Sequence, residues 1–235
     1  MIRQNDKIGF IDKTGKIIIS PQFDSVNAES VYWGAFIEGL EGVEIGGKWG
    51  YIDKTGKYVI NPQFDSALEF REGLAPVEIG RRWGYIDKTG KYVINPQFDD
   101  ASEFREGLAQ VKIGEQMGFI NRTGKYVINP KFTSVSQFFR EGLAKVSFGW
   151  KSGFIDKTGK YVINPQFDNA SSFSEGLAWV KIGDKYGYID KAGKIIINPQ
   201  FDSASEFSEG LAMVAIGEKT GYIDKTGKYV WNPTN

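Results

Sequence analysis

The chain has 235 residues, of which 29 are basic and 29 acidic, and it contains no histidine and no cysteine. The balanced charge argues against nucleic-acid and membrane-surface binding, because both need a basic field. The missing cysteines exclude disulfides and thiolate metal sites, and the missing histidines remove the commonest general base and metal ligand. Since no apolar run approaches the roughly 20 residues of a membrane span, we expect no membrane insertion.

A short motif centred on a glycine and an aromatic residue recurs along the chain. Its clearest copy is Trp83–Gly90, which reads WGYIDKTG, and its first glycine recurs at steps of 41, 34, 34, 35, 34 and 34 residues, at Gly9, Gly50, Gly84, Gly118, Gly153, Gly187 and Gly221. A fixed period in this range indicates a tandem array of small units. We therefore predict a single domain over residues 1–235, with units beginning near residues 1, 38, 72, 106, 141, 175 and 209.

The third unit illustrates the predicted elements. Residues 85–87 and 91–94 are rich in β-branched and aromatic residues and flank the turn Asp87–Gly90, which predicts a β-hairpin. We expect Pro96 to end its second strand, because proline cannot donate a ladder hydrogen bond. Residues 98–104 fit either a short outer strand or a single helical turn, and residues 108–113 form the next strand.

Both faces of each predicted sheet carry apolar residues, so we expect neighbouring sheets to cover both. The predicted fold is therefore an all-β tandem array of seven short antiparallel units, each with three to four strands, arranged like the blades of a propeller. An open superhelix of stacked β-hairpins is the alternative.

Two series of repeated acids are candidates for chemistry. The first series is the glutamates that precede a glycine: Glu38, Glu72, Glu106, Glu141, Glu175 and Glu209. They either bind a cation or act as acid or base, or else they cap a turn. The aspartates that follow a phenylalanine lack the closely spaced Asp-x-Asp-x-Asp pattern of calcium loops. We favour structural roles for both series and expect no enzyme activity, catalytic residue, metal or cofactor.

Positions that depart from the repeat are better binding candidates, because the array does not need them. Seven extra residues at positions 30–36 contain Tyr32, Trp33 and Phe36, which form either a recognition loop or a plug that covers an exposed sheet. Trp150 and Trp179 are two further aromatic departures. The position of Trp83 itself holds Ile, Met, Ser, Tyr or Thr in other units, which indicates packing or surface rather than catalysis.

The pattern from Glu72-Gly73-Leu74-Ala75 through Trp83-Gly84-Tyr85-Ile86-Asp87 to Phe98-Asp99 resembles the bacterial WG (or KWG) repeat family, over essentially the whole chain. The resemblance implies an all-β repeat array without known enzymatic activity that acts as a binding or interaction module. The leading hypothesis is therefore a scaffold that binds a protein or peptide through one rim. The alternative is small-ligand or glycan binding in a central or inter-unit pocket lined by aromatics.

Overall fold

A computed structural model describes residues 1–27 and 36–234, and within these residues the regular structure is entirely β. The strands form seven antiparallel sheets in tandem, which confirms the predicted all-β array. The first sheet has three strands: β1 (Ile2–Gln4), β2 (Lys7–Ile11) and β3 (Ile17–Phe23).

Each of the other sheets has four strands, in chain order. They are β4 (Ser25–Val26), β5 (Glu41–Ile45), β6 (Lys48–Ile52) and β7 (Tyr58–Phe64); β8 (Ser66–Ala67), β9 (Leu74–Ile79), β10 (Arg82–Asp87) and β11 (Tyr92–Phe98); β12 (Asp100–Ala101), β13 (Leu108–Ile113), β14 (Gln116–Asn121) and β15 (Tyr126–Phe132); β16 (Ser134–Val135), β17 (Leu143–Phe148), β18 (Lys151–Asp156) and β19 (Tyr161–Phe167); β20 (Asn169–Ala170), β21 (Leu177–Ile182), β22 (Lys185–Asp190) and β23 (Ile195–Phe201); β24 (Ser203–Ala204), β25 (Leu211–Ile216), β26 (Lys219–Asp224) and β27 (Tyr229–Thr234).

The chain divides into two compact units, Met1–Tyr126 and Val127–Asn235. The first contains β1 to β14 and the second β16 to β27, with β15 at the boundary. The prediction of one domain with seven repeat boundaries stays a prediction.

The segment after each long hairpin is a short outer strand and not a helical turn. In the first compact unit, β8 follows β7 directly but pairs with β9, with Ser66 opposite Glu78 and Ala67 opposite Val77. The short strand of each four-stranded sheet therefore comes from the segment that follows the long hairpin of the preceding repeat, where the sequence suggested a fourth strand for its own unit. Within each compact unit, this arrangement joins successive repeats through backbone hydrogen bonds.

The prediction that Pro96 ends its strand is wrong, because β11 runs from Tyr92 to Phe98. The register between β10 and β11 jumps, with Tyr85 opposite Ile94 and Trp83 opposite Phe98. Residues 95–97 therefore bulge out of the ladder, where a missing N–H costs no ladder bond.

The bulge also explains the glycine at the centre of the motif. A Cβ on Gly84 would lie 2.6 Å from the carbonyl oxygen of Ile94 and 2.6 Å from the nitrogen of Pro96. Both are backbone atoms, which cannot rotate away, so only glycine lets the bulged strand approach this closely.

Within each compact unit, apolar side chains fill the space between successive sheets, as the two-faced pattern predicted. In one such cluster, Tyr51, Ile60 and Phe64 of the second sheet face Ala75, Val77 and Ile86 of the third. The connecting segment supplies Ala67 and Phe70 to the same cluster. Within the second compact unit, the cluster around Phe154 and Phe173 is built in the same way.

Candidate functional site

The aspartate of each hairpin turn is used by the turn itself. The Oδ1 atom of Asp87 accepts hydrogen bonds from the Thr89 amide, the Thr89 hydroxyl and the Lys91 amide, at 2.9, 2.6 and 3.1 Å. Because the Thr89 hydroxyl and these amides favour the charged form, they lower the pKa of Asp87. Asn121 accepts the same three bonds from Thr123 and Lys125 without a charge. The carboxylate is therefore a turn-forming group.

Glutamates that precede a repeated glycine connect one repeat to the next, as at Glu38, Glu72, Glu141 and Glu175. Glu72 and Gly73 both have positive φ, 53° and 79°, and form a two-residue turn closed by hydrogen bonds between Arg71 and Leu74. The carboxylate of Glu38 accepts a hydrogen bond from the amide of Gly73, one repeat later, at 3.0 Å.

A lysine from the next hairpin completes this contact. Lys88 Nζ lies 3.1 Å from Glu38 Oε2. Burial raises the pKa of Glu38, but the bonds from Lys88 and Gly73 outweigh it, so the pKa lies below its usual value. In the second compact unit Glu141 binds Lys191 at 2.8 Å and caps the Gly176 amide. The geometry thus supports the turn-capping interpretation, with the capped turn lying in the following repeat.

The aspartate after each repeated phenylalanine also accepts a hydrogen bond from a turn, the one between the next two long strands. Asp65 Oδ2 accepts a hydrogen bond from the Gly80 amide at 2.8 Å, and its Oδ1 pairs with Lys48 at 2.5 Å. The Lys48 bond is the main reason why the pKa of Asp65 is lowered. Asp168 makes the equivalent contacts with Gly183 and Lys151. In the described residues, no cluster of three or more acidic side chains could hold a metal ion.

Only one member of the predicted aromatic cluster lies within the described residues. Phe36 packs against the core of the first two sheets, and its ring centroid lies 5.3 Å from that of Phe10. This placement favours the plug alternative for Phe36. Tyr32 and Trp33 lie outside the described residues, so their recognition role stays a prediction.

Trp179 is half-buried and belongs to a packed surface. It packs edge to face on Tyr186, with ring centroids 5.2 Å apart, and adjoins the cluster around Tyr188. Its amide donates a hydrogen bond to the Ser171 hydroxyl at 3.0 Å. The strand of Trp179 is second in its sheet and is not an edge strand.

Trp150 has a different environment from the other aromatic departures. It occupies the two-residue turn Gly149–Trp150 between β17 and β18 and is 94% exposed. Phe148, immediately before that turn, is 73% exposed, whereas the equivalent isoleucines such as Ile79 and Ile113 are 42–44% exposed. We call Phe148 and Trp150 the aromatic tip.

The turn of the aromatic tip also lacks the hydrogen bond from a glycine amide to an aspartate carboxylate that is found in other repeats. Thr133 replaces the repeated aspartate, and among the described residues no hydrogen bond joins Thr133 to Gly149. The sequence singled out Trp150 but not Phe148. The only signal for Phe148 was that a phenylalanine stands where repeats such as those of Ile79 and Ile113 carry isoleucine.

The comparisons with known proteins concern the fold and the family. No helix of the described residues is long and apolar enough to cross a membrane. A crystal structure of the eukaryotic initiation factor is 12% identical, with a TM-score of 0.58 over 95% of this chain and 69% of that chain. This likeness shows a propeller-like fold alone. Hsv2 from Kluyveromyces lactis is 11% identical, with a TM-score of 0.46 over 80% of this chain and 71% of that chain.

A search of the curated proteins gave no match. The model of the WG containing repeat matches six successive segments, which cover most of the sequence: residues 8–49, 49–82, 83–116, 117–149, 153–186 and 186–219. The chain therefore belongs to the WG-repeat family.

Proposed function

We propose that the chain is a non-catalytic binding module that contacts a protein or peptide through the aromatic tip, Phe148 and Trp150. The observation that carries the proposal is the 94% exposure of Trp150 in a short hairpin turn. The equivalent turn position holds Gly47, Arg81, Glu115, Asp184 or Glu218 in other repeats. Folding of the array therefore does not require an aromatic residue there.

The physical chemistry of the tip suits recognition. Tryptophan is prominent among the residues that dominate protein interfaces, and a side chain on a short hairpin loses little freedom on binding. Each aromatic side chain buries about 150–250 Å², against about 800 Å² per partner in a standard interface. The tip is therefore an anchor, and neighbouring residues must supply the rest of the contact.

The repeated carboxylates support the non-catalytic part of the proposal. The turn aspartates and the glutamates described above are occupied by backbone amides, threonine hydroxyls or lysines of the array. At Asp65, Asp87 and Glu141 these partners lower the pKa and so favour the ionised carboxylate. A carboxylate tuned in this way is a poor general acid or base near neutral pH.

Site-specific crosslinking tests the proposal. A photo-crosslinking amino acid is placed at position 150 in one variant and at position 81, the equivalent turn, in a matched control. We expect a protein that crosslinks from position 150 and not from 81. The purified partner should then bind the native chain, and Trp150→Ala should weaken that affinity at least tenfold while Arg81→Ala leaves it unchanged.

Other outcomes would contradict the proposal. Equal crosslinking from both positions would indicate a non-specific surface. Binding of the purified partner that survives Trp150→Ala and Phe148→Ser together would place the interface elsewhere. Saturable binding of a glycan that is lost with Trp150→Ala would favour the ligand-binding alternative, because sugars also stack on exposed tryptophan.

A further inference from the structure

The glycine amide at the start of each short turn binds a carboxylate in repeats of both compact units. In the first unit, the Gly80 amide donates a hydrogen bond to Asp65 at 2.8 Å. In the second unit, the Gly183 amide donates to Asp168 at the same distance. Both aspartates follow the phenylalanine of their repeat. The array itself therefore shows which chemical group this turn amide accepts as a partner.

The turn of the aromatic tip has the same amide without the carboxylate. Thr133 stands at the place of the aspartate, because Ser134 beside it pairs with Ser147, two residues before Gly149. The same register relates the aspartate to the glycine in other repeats. Thr133 and Gly149 are exposed, and within residues 1–27 and 36–234 neither the hydroxyl nor the amide has a hydrogen-bond partner. Two hydrogen-bond donors therefore remain free at this turn.

The charge of the repeat that carries the aromatic tip is opposite to that of its neighbours. Residues 131–152 contain four basic residues and one acidic residue, whereas the equivalent residues 97–117 contain two basic and five acidic residues. Residues 166–186, in the next repeat, contain two basic and three acidic residues. The single acidic residue beside the tip, Glu141, is already bound to Lys191. A partner that complements this charge is acidic.

Lys131 is the basic residue closest in sequence to Thr133. It replaces the glutamine of the Pro-Gln-Phe-Asp sequence found in other repeats, and its Nζ atom lies 5.0 Å from the centroid of the Phe132 ring. In the part of the chain that the structure describes, no carboxylate forms an ion pair with Lys131. Lys151, by contrast, is bound to Asp168 at 2.5 Å. Lys131 is therefore the cation that an anionic partner can use.

We propose that the partner of the aromatic tip is an acidic peptide segment, with an aspartate or glutamate carboxylate that accepts hydrogen bonds from the Gly149 amide and the Thr133 hydroxyl. This carboxylate takes the role that Asp65 has in its own repeat. Lys131 supplies a positive charge, and the aromatic tip packs on apolar side chains next to the acidic residue. The inference rests on the proposed function of the tip and adds the chemistry of the partner to it.

Selection from a library of displayed random dodecapeptides tests the inference. The library is selected in parallel on the immobilised full chain and on Trp150→Ala, and peptides retained only by the native chain are synthesised. We expect these peptides to share an aspartate or glutamate beside an apolar residue. Titration of the most enriched peptide into the ¹⁵N-labelled full chain should shift the Gly149 amide signal. Replacing its acidic residue by the corresponding amide should weaken binding about tenfold, because a charge-assisted hydrogen bond is lost.

Variants of the protein separate the carboxylate contact from a general effect of charge. Thr133→Asp supplies an internal carboxylate to the Gly149 amide and should weaken peptide binding about tenfold. Thr133→Asn supplies a neutral oxygen to the same amide, and Lys131→Gln removes the cation, so each should weaken binding about threefold. The matched control is Asp202→Thr, which frees the Gly217 amide in the last sheet and should leave the affinity unchanged. All these positions are exposed, so the sheets should remain folded.

The outcomes distinguish this inference from the proposed function. Peptides that depend on Trp150 but contain no acidic residue, or that bind Thr133→Asp as tightly as the native chain, would overturn the inference and leave the proposed function in place. If no selected peptide depends on Trp150, the inference fails, and crosslinking from position 150 then decides whether the proposed function fails with it. Trp150-dependent binding of oligothymidylate that is tighter than that of every selected peptide would also overturn the inference, because the basic charge would then serve phosphates.

Discussion

Tyr85 and Phe154 occupy equivalent positions in two repeats and differ by one hydroxyl group. The Tyr85 hydroxyl donates a hydrogen bond to the Ser102 carbonyl at 2.8 Å and is fully buried. Burial raises the pKa of Tyr85, so the hydroxyl remains a donor at all ordinary pH values. Phe154 leaves the carbonyl of Ser171, also 17 residues later, without this donor. We predict that Tyr85→Phe destabilises the chain and that Phe154→Tyr stabilises it.

The two changes differ in expected size. Tyr85→Phe loses the net value of the bond and leaves a buried carbonyl without its partner, so we expect a loss of about 1–2 kcal/mol. Phe154→Tyr adds one bond, worth about 0.5–1.5 kcal/mol. The surroundings match, because the Phe154 and Phe173 rings lie 4.8 Å apart and those of Tyr85 and Phe104 lie 4.9 Å apart.

Urea denaturation followed by circular dichroism measures both effects on the free energy of unfolding. Thermal midpoints should move in the same directions, by about 2–4 °C per kcal/mol in a chain of this size. Tyr92→Phe is the matched control, because no hydrogen bond to its hydroxyl is present among the described residues. Equal stability of Tyr85→Phe and Tyr92→Phe, or a loss of stability in Phe154→Tyr, would contradict these predictions.

Three further predictions concern the repeated elements. The buried hydroxyl of Tyr229 has no hydrogen-bond partner among the described residues, so Tyr229→Phe should raise the free energy of unfolding by up to about 1 kcal/mol; a decrease in urea denaturation would contradict this. Gly84→Ala should cost about 3 kcal/mol or more because its Cβ meets the backbone of Ile94 and Pro96, and a cost no larger than that of Gly90→Ala would contradict the bulge explanation. The folded-state pKa of Asp87 is depressed, so its contribution is present above its unfolded value and is lost as the pH falls through the lower folded value. Asp87→Asn, which copies the amide found at Asn121, should therefore be close to wild type at pH 7 and lose less stability in acid, and an equal loss of thermal midpoint as the pH falls through that window would refute this.

The hairpin turn was predictable because its determinants are local. An aspartate that accepts nearby amides and a glycine with positive φ are sufficient to specify it, and Gly90 has φ 85°. The bulge at Pro96 was missed because it depends on the facing strand. Only the contact between residues 94–96 and Gly84 shows why the motif needs glycine.

The sequence also could not predict which strand the short strand pairs with. Ser66 and Ala67 follow β7 in the chain, but they pair with β9, and periodicity gives no information about which sheet a two-residue strand joins. Among the predicted site residues, the departure from the repeat drew attention to both Trp150 and Trp179. It could not distinguish Trp150, which is exposed, from Trp179, which packs on Tyr186, because that difference depends on the neighbouring side chains.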